Sequence, residues 1–346
     1  MYLLSAAEAI SPALNRTRDF LFRPFRWGTF LKLCAVAVMT EGFFGNFNFS
    51  GRSGTQAHAP GQGALFNFPP GAIAAAIAIG IVALALGVVL LYVVVRLRFA
   101  LFHCLIHRTR ALTPGWNLYR EQSLRFFLLT IVVAFAFLAG IAVALAPFVS
   151  DFVKVFHEGQ LAGRINFFAF LPLIVQLIPV MLALGLAGIA VDVVLRDFML
   201  PHMALENALA GEAWSAVLER IGEHKGAFAL YAFLRVVLPL AAMIGIFVVL
   251  VLPMLILFGI PGVMMAGIHA ATLEATGAAW LAGTLLEIVL GIFMFALGVF
   301  IAVSVGGPLS IAIRNYALLF YGGRYRVLGD ILEPPQAAPA APPLPA

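Results

Sequence analysis

The sequence predicts an all-α polytopic membrane protein, and three observations carry that reading. Of its 346 residues, 63% are hydrophobic and only 11% are charged, against about 25% charged in a typical soluble domain. The mean hydropathy is +1.03. Six stretches are apolar enough to cross a bilayer core of ~30 Å, which takes roughly 20 helical residues. They lie near 28–45, 71–95, 126–149, 167–195, 227–257 and 279–313.

The N-terminal segment 1–27 reads as a cytoplasmic interfacial piece. "MYLLSAAEAI" lacks the basic start and long apolar core of a cleavable signal. "SPALNRTRDFLF" predicts a helix with Ser11 as N-cap and Pro12 at the first helical position. Ile10, Ala13, Leu14 and Leu21 share one face of it, so it lies in the headgroup layer. The first span holds Lys32 and Glu41, with Glu41 expected near its outer end, within reach of water. Residues 45–70, rich in Gly, Asn and Ser with scattered Phe, read as a loop outside the bilayer. Between the second and third spans, "FALFHCLIHRTR" sets His103 and His107 four apart, on one helix face. A metal needs three or four ligands. Cys104 points elsewhere and Arg96, Arg98, Arg108 and Arg110 surround the pair, so no metal site is expected.

The fourth span carries Pro172, Gln176 and Pro179 in "LPLIVQLIPV", a pattern found where transport helices break and also in ordinary spans. "GEAWSAVLERIGEHKG" predicts a second interfacial helix with Trp214, Val217, Leu218 and Ile221 on one face. The fifth span is expected to end near Pro253, with 254–268 re-entrant or opening a seventh span. Residues 327–346 read as a Pro- and Ala-rich disordered tail after a transmembrane domain of 28–326.

Basic residues set the orientation. Of the 21, 17 fall in the N-terminal segment, the loops after the second and fourth spans, or the C-terminal segment. The positive-inside rule then puts both termini in the cytoplasm, with six crossings. Three borders look alike. "RFAL" at Arg98, "RDFML" at Arg196 and "RNYALL" at Arg314 each end an even span. Trp116 and Trp214 follow the first two arginines by 18 residues. Three related hairpins would produce this pattern, and so would the general preference of Trp and Arg for the interface. Arg98, Arg196, Arg314, Trp116 and Trp214 are therefore candidate lipid-headgroup contacts.

"LFRPFRWGTFLKL", "RFALFHCLIHRTRALTPGWNLYREQSLRFF", "VLRDFMLPHMALENALAGEAW" and "IRNYALLFYGGRY" together resemble an uncharacterised bacterial six-span family. That family is similar in style to glycerophosphodiester phosphodiesterase membrane domains. The resemblance implies a multi-pass protein of the bacterial inner membrane and offers no activity or catalytic residue to carry over.

Ionisable residues inside spans are the remaining candidates, because placing them in lipid is costly. Glu287 has Gly283 and Gly291 one turn either side, which lets another helix approach and turns the carboxylate inward. Asp192 and Arg235 are at similar depth on neighbouring spans and are expected to pair. No phosphate loop, "GxSxG" or "HExxH" occurs, and no loop has room for a catalytic domain, so no cofactor is expected. The function expected is non-enzymatic handling or organising of lipid or a hydrophobic solute, as a permease or a scaffold. The alternatives are an intramembrane enzyme using Glu287 or Asp192, and a membrane subunit docking cytoplasmic partners. Membrane lipids are the expected partners, together with a cytoplasmic protein in the docking reading, and nucleic acid is not.

Overall fold

The computed structural model describes residues 4–41, 70–161 and 167–333. The described residues are helical with no strands. They run as α1 (Ile10–Phe22), α2 (Trp27–Thr40), α3 (Pro70–Ile106), α4 (Leu112–Leu118), α5 (Arg120–Leu161) and α6 (Leu171–Val193). A π-helical turn (Val194–Met199) leads into α7 (Leu200–Leu205), α8 (Ala210–Glu223), α9 (Lys225–Glu274), α10 (Ala278–Gly322) and α11 (Arg326–Leu332). The expected loop 45–69 and the tail beyond 333 lie outside the described residues.

Five helices, α3, α5, α6 continued into α7, α9 and α10, are long and apolar enough to cross a membrane. The chain is thus a multi-pass membrane protein in its build. The first expected span is helical only over the 14 residues of α2, a rise of ~21 Å, and residues 42–45 are not described. The expected break at Pro253 does not occur. The helix α9 runs unbroken for 50 residues through Pro239, Pro253 and Pro261. In an apolar setting every free backbone group is costly, so a proline is absorbed by local adjustment and the helix continues. Pro179 is likewise inside α6 without breaking it.

The core is gathered at one end of the molecule, here called the hub. The hub is built from the C-terminal ends of α3 and α10, the starts of α5 and α9, the turn after α6, and the short helices α1, α2, α4, α7, α8 and α11. Phe99, Phe102, Phe126, Tyr231, Phe320 and Tyr321 are fully buried there. Rings meet across elements, with Tyr231 stacked 4.4 Å from Phe320 and Phe198 tilted 5.0 Å from Tyr321. Both described ends of the chain meet at the hub, since Arg324 donates to the Leu4 carbonyl. Away from the hub the long helices are nearly bare. None of the most apolar stretch of α3, α6 or α9 is buried, and only 11% of that of α5 and 6% of that of α10.

The short helices differ in detail from expectation. Ser11 does not cap α1, which begins at Ile10 after Ala9. Instead Ser5 and Glu8 bond each other's backbone one turn earlier. The buried stripe of α1 is Ala13, Thr17, Phe20 and Leu21, and Leu14 points outward. In α8 the buried residues are Ala213 and Val217, leaving Trp214 and Leu218 exposed. Part of the expected tail is ordered, because α11 buries Leu328 and Leu332 in the hub.

Small residues let the helices meet. A Cβ on Gly307 of α10 would overlap Cys34 of α2, and one on Gly115 of α4 would sit 2.7 Å from His103 Cβ. Close backbone approach of this kind is how apolar helices bind each other without a hydrophobic drive between them. Gly307→Ala should therefore cost about 1–3 kcal/mol, read as a lower melting temperature in detergent. Gly140→Ala, with nothing within 4 Å, should leave the melting temperature unchanged.

Candidate functional site

The end of α6 cannot continue as a regular helix. Pro201 has no N–H to give the Asp197 carbonyl four residues back, and its ring presses on that carbonyl. The chain widens there into the π turn Val194–Met199, a relief seen often at functional sites. The wider turn sends two neighbouring side chains to different places. Arg196 pairs back with Asp192, and Asp197 turns into the hub with its side chain fully buried.

Asp197 is the centre of a cluster. Its Oδ1 accepts from Arg314 Nη1 at 2.9 Å. Its Oδ2 accepts from Arg235 Nε at 3.0 Å and from the Tyr231 hydroxyl at 2.7 Å. Arg235 extends the cluster by donating Nη2 to Glu41 Oε2 at 3.1 Å. Arg98 donates Nε to the Thr40 carbonyl beside it, at 3.0 Å. Two carboxylates thus balance two guanidiniums, joining α2, the π turn, α9 and α10, with α3 tied on through Arg98. Buried ions persist only when paired and hydrogen-bonded in this way.

The expected site residues are accounted for as follows. Asp192 and Arg235 do not pair, because Arg235 is held by Asp197 and Glu41, and Asp192 stays with Arg196 at the rim, 46% exposed. Glu41 does not reach outward, since its side chain is 11% exposed against Arg235. Half-buried Arg98 donates to the Thr40 carbonyl, and Arg314, only 4% exposed, is held by Asp197. Arg196 lies largely inward as well. Trp116 is the platform for Arg96, whose guanidinium sits 4.3 Å above its ring and donates to its carbonyl. Trp214 stays exposed.

Glu287 belongs to a different place. It accepts from Thr272 Oγ1 at 2.8 Å and lies 3.3 Å from His269 Nδ1. It therefore faces α9 and ties the end of the α9–α10 hairpin. His269 is 34 residues beyond Arg235, ~51 Å along a helix, so one bilayer core of ~30 Å cannot hold both sites at mid-depth. Of its expected glycine neighbours, Gly283 meets Thr272 and Gly291 meets nothing within 4 Å.

The His103 and His107 rings lie 4.5 Å apart, tilted by 52°, where α3 ends against α4. Among the described residues no group of three His, Cys, Asp or Glu is placed to hold a metal. At the end of α7, burial pushes the Glu206 carboxyl up, but hydrogen bonds from His202, at 3.0 Å, and Tyr325, with the His202 and Arg220 charges, together outweigh it and hold the group below the usual carboxylate range.

Two apolar grooves open between the bare helices. One, of about 620 Å³, lies between α5 and α6 and is lined by Leu145, Phe148, Phe152, Phe156, Phe170 and Leu173. The other, of about 420 Å³, runs from Ile189 and Val193 of α6 to Phe228, Tyr231 and Val236 of α9. Its floor is Tyr231, a ligand of the Asp197 carboxylate.

Asp197 and Tyr231 were not singled out from the sequence. The local signal for Asp197 is "RDFML", where an acid stands beside the repeating arginine in an apolar run. A family model described as a Family of unknown function (DUF7544) matches residues 4–331. That is nearly the whole chain, and the chain belongs to this family. No curated protein and no solved structure matches it.

Removing one member of a buried ion cluster leaves the others uncompensated, at about 3–5 kcal/mol. Asp197→Asn should therefore lower the melting temperature in detergent strongly. Asp192→Asn, at the half-exposed rim, should change stability by less than about 1 kcal/mol.

Proposed function

For this DUF7544 protein we propose a non-enzymatic role in the cytoplasmic membrane, holding or organising lipid or another long apolar molecule between helices fixed by the hub. The observation that carries the reading is the bareness of the long helices. Their most apolar stretches are almost unburied, and the grooves between α5 and α6 and between α6 and α9 are large and lined by Phe, Leu, Ile and Val. In water such surfaces would collapse on each other, and in a bilayer acyl chains fill them at no cost.

The hub end faces the cytoplasm in this proposal, which accords with 17 of 21 basic residues in hub-side segments. Five long helices run between the two ends, while the 14-residue α2 has both its ends in the hub, with Trp27 against Phe25 and Glu41 on Arg235. The apolar run of α5 fits one bilayer, because Arg125 and Asp151 are 26 residues apart, ~39 Å along the helix. The α9–α10 hairpin is longer and carries its Glu287–Thr272 tie to the far border.

Native mass spectrometry of the protein in mild detergent tests this reading. Wild type should retain phospholipid or another apolar ligand. Leu173→Trp, which fills the α5–α6 groove, should lose most of it while the helical circular dichroism is unchanged. Ligand-free wild type, or unchanged retention when both grooves are filled with Trp, would contradict the reading.

A further inference from the structure

A second cavity lies on the opposite side of the hub from the bare helices, between α1, the turn after α3, and α10. It holds about 960 Å³, within the range of ligand pockets. Five arginines line it, Arg16, Arg23, Arg26, Arg108 and Arg110, against two acids, Asp19 and Glu333. Three of the five are occupied by the fold. Arg16 donates to the Leu105 carbonyl at the end of α3, Arg110 to the carbonyls of Phe20 and Arg23 at the end of α1, and Arg23 faces Asp19 at 3.5 Å. Arg16 and Arg110 thus cap each other's helix, satisfying carbonyls that a helix end leaves open.

Arg26 and Arg108 are different. Neither has an acid or carbonyl partner among the described residues. Arg108 has φ +53, a left-handed conformation that favours glycine just past a helix end. An arginine there works against the backbone and against Arg16, whose guanidinium burial and the Arg108 charge together hold down to about 10. For the fold alone, glycine would serve better at 108.

The cavity floor has a further loose end. Asn315 is fully buried, and its amide nitrogen donates to Thr17 Oγ1 at 2.9 Å. The Thr17 proton goes to the Ala13 carbonyl, so Thr17 can only accept from Asn315, which fixes the amide orientation. The Asn315 Oδ1 is then left without a donor. At the mouth, "FRPFRW" places Phe22, Phe25 and Trp27 in an exposed aromatic cluster, with Phe25 and Trp27 rings 5.0 Å apart, while Arg23 and Arg26 line the cavity.

We propose that this cavity binds a phosphate-bearing anion, with Arg108 and Arg26 as its free cationic ligands, presented either by a lipid headgroup or by a free phosphate compound. Guanidinium and phosphate match in charge and in bidentate geometry. The aromatic cluster beside the mouth supplies an interfacial anchor of the kind a lipid source would use. This site is separate from the apolar grooves and does not rest on the role proposed for them.

The test is calorimetric titration of the full chain in non-ionic detergent with two probes, dioctanoyl phosphatidylglycerol and glycerol 1-phosphate. At least one should bind wild type. Arg108→Gly should weaken that binding about tenfold with the melting temperature held or raised, since strain and like-charge repulsion are both removed. Arg108→Asn, which also tolerates the left-handed backbone, and Arg26→Gln give independent checks should the glycine variant fold poorly. Equal binding of both probes identifies phosphate itself as the ligand. Tighter binding of the lipid, lost in Trp27→Ala, identifies a headgroup. Binding of neither probe, or unchanged binding in the Arg108 and Arg26 variants, overturns the proposal.

Discussion

The carboxylate of Asp197 is the constraint on which the hub depends. It receives three donors from two helices, and through Arg235 it reaches a third, α2, at Glu41. A fully buried acid with this set of partners admits few alternatives. Shifting α9 or α10 by one turn would strand a guanidinium, and straightening the π turn would withdraw the carboxylate itself. The apolar contacts of the hub, such as the Tyr231–Phe320 stack and the Cys34–Gly307 approach, are less directional. They supply much of the attraction, and the ion cluster fixes the register in which it is realised. This is the role best attested for buried polar groups in apolar helical assemblies.

A hub with fixed register and helices with bare flanks make a particular kind of object. Order is concentrated at the hub, where Asp197 holds Arg314 and Arg235, Arg235 holds Glu41, and Arg98 is tied to the Thr40 carbonyl. Beyond that level the most apolar stretches of α3, α5, α6 and α9 run as rods with little or none of their surface buried. Nothing apolar distinguishes a neighbouring helix from an acyl chain, which is the physical basis of the lipid-holding role proposed for the grooves. The tie between Glu287 and Thr272 closes the one hairpin that extends farthest from the hub.

Much of this was legible in the sequence, and the rest was hidden for physical reasons. Five of the six expected spans coincide with long apolar helices, and the similar sequence borders at Arg98, Arg196 and Arg314 were visible as a repeat. What those arginines face was not visible, because a border arginine that meets a phosphate and one that meets a buried carboxylate have the same local pattern. Asp197 escaped because its partners, Arg235 and Arg314, are 38 and 117 residues away. Prolines misled in one direction. Pro253 suggested a helix end where α9 continues, while Pro201, beside the aromatic border, marked the turn that does deviate. A proline states that one hydrogen bond is missing, and only the surroundings decide whether the helix bends, widens or stops.

Pulsed electron paramagnetic resonance distances, in nanodiscs and after delipidation into detergent, test the division between a fixed hub and lipid-filled hairpins most directly. One label pair, at the exposed residues Leu118 and Val327, reports the hub, and a second, at Val149 and Met264, reports the far ends of α5 and α9. The account predicts a narrow hub distance that is the same in both media and a far-end distance that shifts or broadens when lipid is removed. A far-end distance as narrow as the hub's and unchanged by delipidation would contradict it, because helices held that firmly without lipid are packed on each other.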